Sequence, residues 1–252
     1  MITGKHALVT GGGTGIGRAI ALALAQAGVA VTICGRRKAE LARVAAEDSR
    51  IFSIVADVTD EAAMASLFAE AEKARGALDI VVANAGMSGS SPAVRTSLAD
   101  WQRTLDVNLT GSFLTVKPAL ASMTARKSGR IVFVASTAGL KGYPYVAPYV
   151  AAKHGVVGLT RALAVELAKT GVTVNAVCPG FAETEMLPEI VQRIVEKTGR
   201  TVEQARASLT STNPQGRFIQ PQEVAAAVLW LCSEEAASIT GQAISLSGGE
   251  TW

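Results

Sequence analysis

Short uncharged runs rich in β-branched residues alternate along this chain with longer amphipathic segments, and that alternation restricts the fold more than any other feature. The runs are Ala7–Thr10, Ala30–Cys34, Ile51–Ala56, Ile80–Ala83, Ile131–Ala135, Val172–Val177 and Ala243–Leu246. A strand with charge on neither face has to be covered on both, which is the condition of a parallel sheet. Parallel neighbours need long crossovers. The segments near Gly15–Ala27, Ala39–Glu47, Glu61–Arg75, Leu98–Arg126, Pro148–Lys169 and Pro221–Cys232 carry helical periodicity of suitable length. The expected fold class is α/β: a doubly wound, seven-stranded parallel sheet in a single domain covering residues 1–252.

One stretch breaks the rhythm. Glu183 to Arg217 is polar, holds two helical pieces, Pro188–Lys197 and Val202–Leu209, and separates a strand from the last helix. An inserted helical lid over a site accounts for it better than a structureless loop. Its apolar residues Met186, Leu187, Ile190 and Ile194 suit either a cover over substrate or ordinary helix packing.

With 49% hydrophobic and 18% charged residues the chain is too apolar to stay disordered. The net charge of +3 is scattered, with no basic run longer than Arg36-Arg37-Lys38, so no nucleic-acid partner is implied. Cys34, Cys178 and Cys232 are widely spaced, and the only histidines are His6 and His154, which argues against a metal site or a disulfide framework. The longest uncharged stretch, Ala19–Gly35, is broken by Gly28 and too short to span a bilayer. No leader pattern precedes the first strand, so the expectation is a cytoplasmic protein with free thiols and no membrane partner.

After the first run comes Thr10-Gly11-Gly12-Gly13-Thr14-Gly15-Ile16-Gly17-Arg18, directly before a helix. Glycines allow a tight turn and close approach to a pyrophosphate, and the helix that follows presents free N–H groups and a positive dipole end. The candidate contacts are Gly11, Gly13, Thr14, Gly15, Ile16 and Gly17. No lysine follows the last glycine, as a loop for ATP would require. A strand–helix turn without ligand is the competing reading.

The glycine spacing matches the TGxxxGIG motif, and the whole chain resembles the classical short-chain dehydrogenases/reductases. Further motifs of that family stand in order: Asp57-Val58, Asn84-Ala85-Gly86, Asn108, Ser136, Tyr149, Lys153 and Pro179-Gly180 with Thr184. The resemblance implies a Rossmann fold, a nicotinamide cofactor and a ketone or secondary alcohol as substrate. It places Asp57 and Val58 beside the adenine, Asn84, Ala85 and Gly86 along the ribose side, and Pro179, Gly180 and Thr184 at the carboxamide. Asn84 reads equally well as a strand-end cap. A homotetramer is also implied, although Ser247 stands before Gly248-Gly249 where relatives commonly carry aspartate.

The end of the second strand chooses between cofactors, because an acid there bonds the ribose hydroxyls and repels a phosphate. Here it reads Cys34-Gly35-Arg36-Arg37. Two guanidiniums and no acid favour NADP(H), with Arg36 the principal contact and Arg37 its support. NAD(H) stays possible, since basic residues in a solvated turn are ordinary and Thr14 stands where NADP-preferring relatives often carry a basic residue.

Tyr149 and Lys153 lie four residues apart, so on a helix they share one face. A neighbouring ammonium and an oxidised nicotinamide would both favour the phenolate of a group whose ordinary pKa is about 10. Tyr149 can then exchange a proton with the substrate oxygen, while Ser136 hydrogen-bonds the carbonyl. By resemblance Asn108 holds a water against Lys153, and Lys153 also binds the nicotinamide ribose. His154 projects away from that face and Cys178 reads as a core filler, so neither receives a role.

The last third resembles 3-hydroxybutyrate dehydrogenases and, more distantly, polyketide and 3-oxoacyl thioester ketoreductases, which points to β-oxo substrates. Where the hydroxybutyrate enzymes hold a free carboxylate, this chain has Met87-Ser88, Thr137-Ala138 and Val146-Ala147. A free acid is disfavoured, because an unpartnered buried carboxylate is costly. The first expectation is NADPH-linked reduction of a 3-oxoacyl thioester such as a CoA ester; neutral or cyclic ketones come next. A dinucleotide-binding regulator without turnover is the reading from another class.

Overall fold

The computed structural model describes residues 2–252. Seven strands form one all-parallel sheet: β1 (His6–Thr10), β2 (Ala30–Gly35), β3 (Ile51–Val55), β4 (Ile80–Ala83), β5 (Gly129–Val134), β6 (Val172–Pro179) and β7 (Ala243–Leu246), in the order β3-β2-β1-β4-β5-β6-β7. The crossovers are α1 (Gly15–Gln26), α2 (Lys38–Ala45), α3 (Glu61–Arg75), α4 (Leu98–Leu105), α5 (Gly111–Arg126), α6 (Ala147–Leu167) and α9 (Pro221–Leu231). The insertion between β6 and α9 holds α7 (Leu187–Thr198) and α8 (Val202–Thr210).

The pleat sends alternate side chains to opposite faces, which is why the strands had to be apolar throughout. Leu8, Ile131 and Phe133 pack with Met64, Leu67, Met123 and Val156 in one apolar layer. Ala7, Val9 and Val132 pack with Ile20, Leu24, Leu41 and Val228 in the other. The sheet is thus covered by α3, α5 and α6 on one side and by α1, α2 and α9 on the other. Among the described residues no helix is long and apolar enough to cross a membrane.

Two departures from the sequence reading bear on function. The segment Leu98–Arg126 is not one helix: α4 and α5 are joined by a wide π-helical turn over Asp106–Thr110, and the buried Asn108 sits in its middle. Such a turn leaves the regular bonding ladder out of step and frees backbone groups for other work. The last long strand also runs on to Pro179, carrying Cys178 and the Pro179-Gly180 pair to the sheet's upper rim.

The insertion leaves and returns at one place. Glu183 donates its N–H to Ile219 O at 2.9 Å, and Ile219 donates to Phe181 O at 2.9 Å. Thr201 caps α8 through a reciprocal pair of bonds with Gln204. Leu187, Val191, Ala205 and Phe218 form a separate small core, with Ile194 packed against it. Leu187 and Ile194 therefore hold the insertion together, whereas Met186 is exposed and Ile190 half-buried.

Strand order reverses direction between β1 and β4. In an open parallel sheet the loops at such a switch part and leave a crevice above the strands' carboxyl ends. The glycine loop after β1 and the Asn84-Ala85-Gly86 segment after β4 border it from opposite sides.

Candidate active site

The glycine loop is built on close backbone approaches. Gly11 and Gly15 have φ of +66° and +53°, the left-handed region that side chains resist. A Cβ on Gly17 would lie 2.3 Å from Gly11 O, so only glycine lets α1 start this near β1. The Asn84 side chain donates to Thr10 O at 2.8 Å, and the Thr10 hydroxyl accepts the N–H groups of Asn84 and Ala85 at 3.0 and 3.1 Å. The Asn84 side chain thereby stitches the ends of β1 and β4 together. Thr10 shares that work, and only the fold makes this visible.

The start of α1 accepts negative charge. Thr14 precedes the helix in an extended conformation without capping it through its side chain. The Gly15 N–H instead donates to the Glu185 carboxylate at 2.9 Å, a side chain far along the sequence. Thr184, beside it, brings its methyl within 3.2 Å of where a Gly15 Cβ would be. The segment after Pro179-Gly180 therefore reaches across to the glycine loop. An anion-accepting amide, glycines in place of side chains and no capping side chain together fit a pyrophosphate.

At the end of β2 both arginines turn toward the crevice. The Arg37 guanidinium donates to the Thr14 hydroxyl at 3.1 Å, and Arg36 lies 3.8 Å from the Asp57 carboxylate. Asp57 is held below its ordinary pKa, first by the Thr59 N–H, with burial opposing and the Thr59 hydroxyl and Arg36 assisting. Val58 is buried, and a Cβ on Gly111 would lie 2.7 Å from its side chain. Ile16 packs against the apolar layer beneath α1.

Ser136, Tyr149 and Lys153 meet above β5. The Ser136 hydroxyl accepts the Ala138 N–H at 3.1 Å and shares a hydrogen bond with Tyr149. One turn along α6, the Lys153 ammonium lies 5.6 Å from the Tyr149 ring centre and donates to Val134 O at 2.8 Å. Across the crevice, a Cβ on Gly86 would stand 2.8 Å from Asn108 Oδ1 and 3.8 Å from Lys153 Nζ. Asn108 spends its side chain on backbone: it donates to Met87 O and Thr104 O at 2.9 Å each and accepts the Met87 N–H at 3.2 Å. Its own carbonyl accepts the Ser112 hydroxyl at 2.8 Å.

Burial governs the protonation of this group. Lys153 is 4% exposed and is pushed down to about 8 by desolvation. Desolvation pushes the Tyr149 phenol up, partly opposed by its bond to Ser136. Among the chain's own groups loss of water sets the direction for the phenol; the phenolate expected beside Lys153 and an oxidised nicotinamide concerns the cofactor-bound site. Cys178, beneath the pair, is pushed up to about 11 by burial and stays a neutral thiol. His154 is exposed and bonds only Val150 O, outside the site.

The sequence reading passed over a second cluster beside this one. Glu250, in the segment after β7, takes the Lys141 ammonium at 3.0 Å and the Tyr143 hydroxyl at 2.7 Å, and Tyr143 in turn lies 2.7 Å from the hydroxyl of Thr137. The Glu250 side chain is 2% exposed. Ser247, which stands where relatives carry aspartate, bonds the Thr251 N–H at 3.1 Å and so closes a local turn.

Comparison with known proteins agrees with this geometry. The family model for short chain dehydrogenase matches residues 5–194. The chain is 39% identical to the 3-oxoacyl-(acyl-carrier-protein) reductase of Aquifex aeolicus, covering 98% of both chains. It is 38% identical to the D-beta-hydroxybutyrate dehydrogenase of Cupriavidus necator, covering 99% of this chain and 98% of that one. Among solved structures, an actinorhodin polyketide ketoreductase variant with NADPH superposes with a TM-score of 0.95 at 38% identity, covering 99% of each chain. Levodione reductase superposes with a TM-score of 0.92 at 31% identity, covering 98% of each. The chain belongs to the short chain dehydrogenase family and is an oxidoreductase that interconverts a carbonyl and an alcohol group.

Proposed function

We propose that this protein reduces neutral β-oxo compounds, foremost 3-oxoacyl thioesters, with NADP(H), and that Ser136, Tyr149, Lys153 and Asn108 carry the reaction. The observation behind the reading is the Ser136–Tyr149 hydrogen bond beside a buried Lys153, in the crevice that the glycine loop borders. Gly11, Gly13, Thr14, Gly15, Ile16, Gly17, Asp57, Val58, Asn84, Ala85, Gly86, Pro179, Gly180 and Thr184 line the cofactor's path along that crevice, and a bound nicotinamide supplies the hydride.

The chain's own residues hold the carbonyl and deliver the proton. Ser136 and Tyr149 both donate to the substrate oxygen, which fixes its position and stabilises charge as it develops. Tyr149, kept protonated by burial, gives up its proton as the alkoxide forms. Lys153 keeps positive charge beside the resulting phenolate. The Asn108 carbonyl, displaced by the π turn, has a second lone pair for a water that returns a proton through Lys153.

Two guanidiniums and no acid within the Cys34-Gly35-Arg36-Arg37 turn support the 2′-phosphate of NADP(H). Arg37, the supporting contact in the sequence, is tied to the glycine loop through Thr14, which favours its taking part beside Arg36. On the substrate side of the crevice Lys141 is already paired with Glu250, which supports a neutral substrate. The same pairing suits neutral ketones, and the likeness to levodione reductase favours this as a second reading. We also infer a homotetramer, from the family resemblance and from Val165 on α6 and Phe113 on α5, which are 80% and 38% exposed.

Initial rates with acetoacetyl-CoA and NADPH test the function. Turnover is expected, with NADPH preferred over NADH, and Tyr149→Phe should lower it at least about a hundredfold with cofactor binding kept. Unchanged turnover in that variant would sink the mechanism. The pH profile follows from the shifts above. Lys153 loses its proton as pH rises through about 8 while Tyr149 keeps its own, so reduction should decline above that pH. A rate that stays level to roughly pH 10 contradicts the assigned role of the ammonium. Gly35→Asp combined with Arg36→Ala should move preference toward NADH; retained NADPH preference refutes the phosphate contact. Light scattering at micromolar concentration should give a tetramer, and a monomer would refute the assembly.

A further inference from the structure

We infer that Glu250 is a specificity-determining residue: its carboxylate cancels the charge of Lys141 and so keeps substrates with a free carboxylate out of the cleft. This rests on the ketone-reduction reading above and deepens it.

The placement of Glu250 motivates the inference. It reaches the site from the segment after β7 and lies between two strand ends that border the reacting groups. On one side, Tyr143 joins it to Thr137, the residue next to Ser136. The Tyr143 phenol is close enough to Tyr149 for the two to interact electrostatically. On the other side, Glu250 Oε2 stands 3.4 Å from the position of a Cβ on Gly180, just past Pro179. Thr212, at the end of the insertion, donates to it as well. One carboxylate thus links the loop after β5, the end of β6, the insertion and the segment after β7.

A nearly unexposed carboxylate persists only where donors replace water. Burial pushes Glu250 up, but Thr212, Tyr143 and Lys141 outweigh it, and the net direction is below the ordinary range, so the group is ionised at neutral pH. Its second effect falls on Lys141, whose side chain is 36% exposed at the rim. A lone ammonium there would attract a substrate carboxylate; an ammonium held 3.0 Å from a fixed carboxylate offers no net charge to it. An incoming carboxylate would also meet the field of Glu250. Specificity by a built-in repulsive group is a recurring device. Tyr143, raised by burial and by Glu250, stays a neutral phenol and adds no charge of its own.

The test compares two substrates with one carbon skeleton, acetoacetate and methyl acetoacetate, in NADPH-linked reduction. In Glu250→Gln, Lys141 is released, and the ratio of kcat/KM for the acid to that for the ester should rise about tenfold or more. Adding Lys141→Met should return the ratio to the wild-type value or lower. In Lys141→Met alone, which leaves the carboxylate uncompensated, the ratio should fall below wild type while the ester is still turned over. That second variant decides the matter where Glu250→Gln does not fold. A purely structural Glu250 would slow both substrates alike, and an unchanged ratio in these variants overturns the inference. If the wild-type chain reduces neither the ester nor acetoacetyl-CoA, the ketone-reduction reading fails, and this inference with it.

Discussion

A lysine ammonium almost wholly removed from water is the constraint around which the site is arranged. Lys153 lies within the second turn of α6, is 4% exposed, and donates to Val134 O at 2.8 Å where β5 ends, a partner in place of lost water. That bond ties α6 to the sheet's upper rim and sets the height of Tyr149 one turn earlier. Gly86 has to be glycine for β4's continuation to pass Asn108 Oδ1 beside the same ammonium, and Asn108, in the π turn, bonds the Met87 backbone. Three crossovers and two strand ends are thereby adjusted to one buried charge.

Desolvation then divides the protonation states usefully. It lowers the amine and raises the phenol, so two groups that ordinarily titrate close together are drawn apart, the ammonium losing its proton first. A phenol that keeps its proton suits the reductive direction, in which the oxygen of the substrate must be protonated.

Charge is managed by pairing elsewhere in the crevice. At the cofactor end an acidic side chain, Glu185, rests on the Gly15 amide where a phosphate fits. At the substrate end Glu250 and Lys141 neutralise each other under cover. Between them the path runs along glycines and backbone, which recognise shape and hydrogen bonding more than charge.

The strands, the crossovers, the glycine loop and the Tyr149–Lys153 spacing were legible in the sequence because each is a local pattern: apolar runs, helical periodicity, glycines where a side chain would collide. So were Ser136 and the arginines after β2, given the order of the motifs. What lay beyond it depends on residues distant in the chain. Nothing in Leu98–Arg126 announces a π turn, whose Asn108 side chain bonds a backbone 21 positions away. Burial, which depends on the whole packed layer, sets the direction for Tyr149 among the chain's own groups. The partners Glu185 and Glu250 carry no motif at all, because a carboxylate's neighbour across 170 or 107 positions is decided by where the sheet delivers its loops. By itself the sequence determined which elements form and which chemistry they bring; only the tertiary structure decided which charges meet, because charge pairing and loss of water are properties of space and not of sequence order.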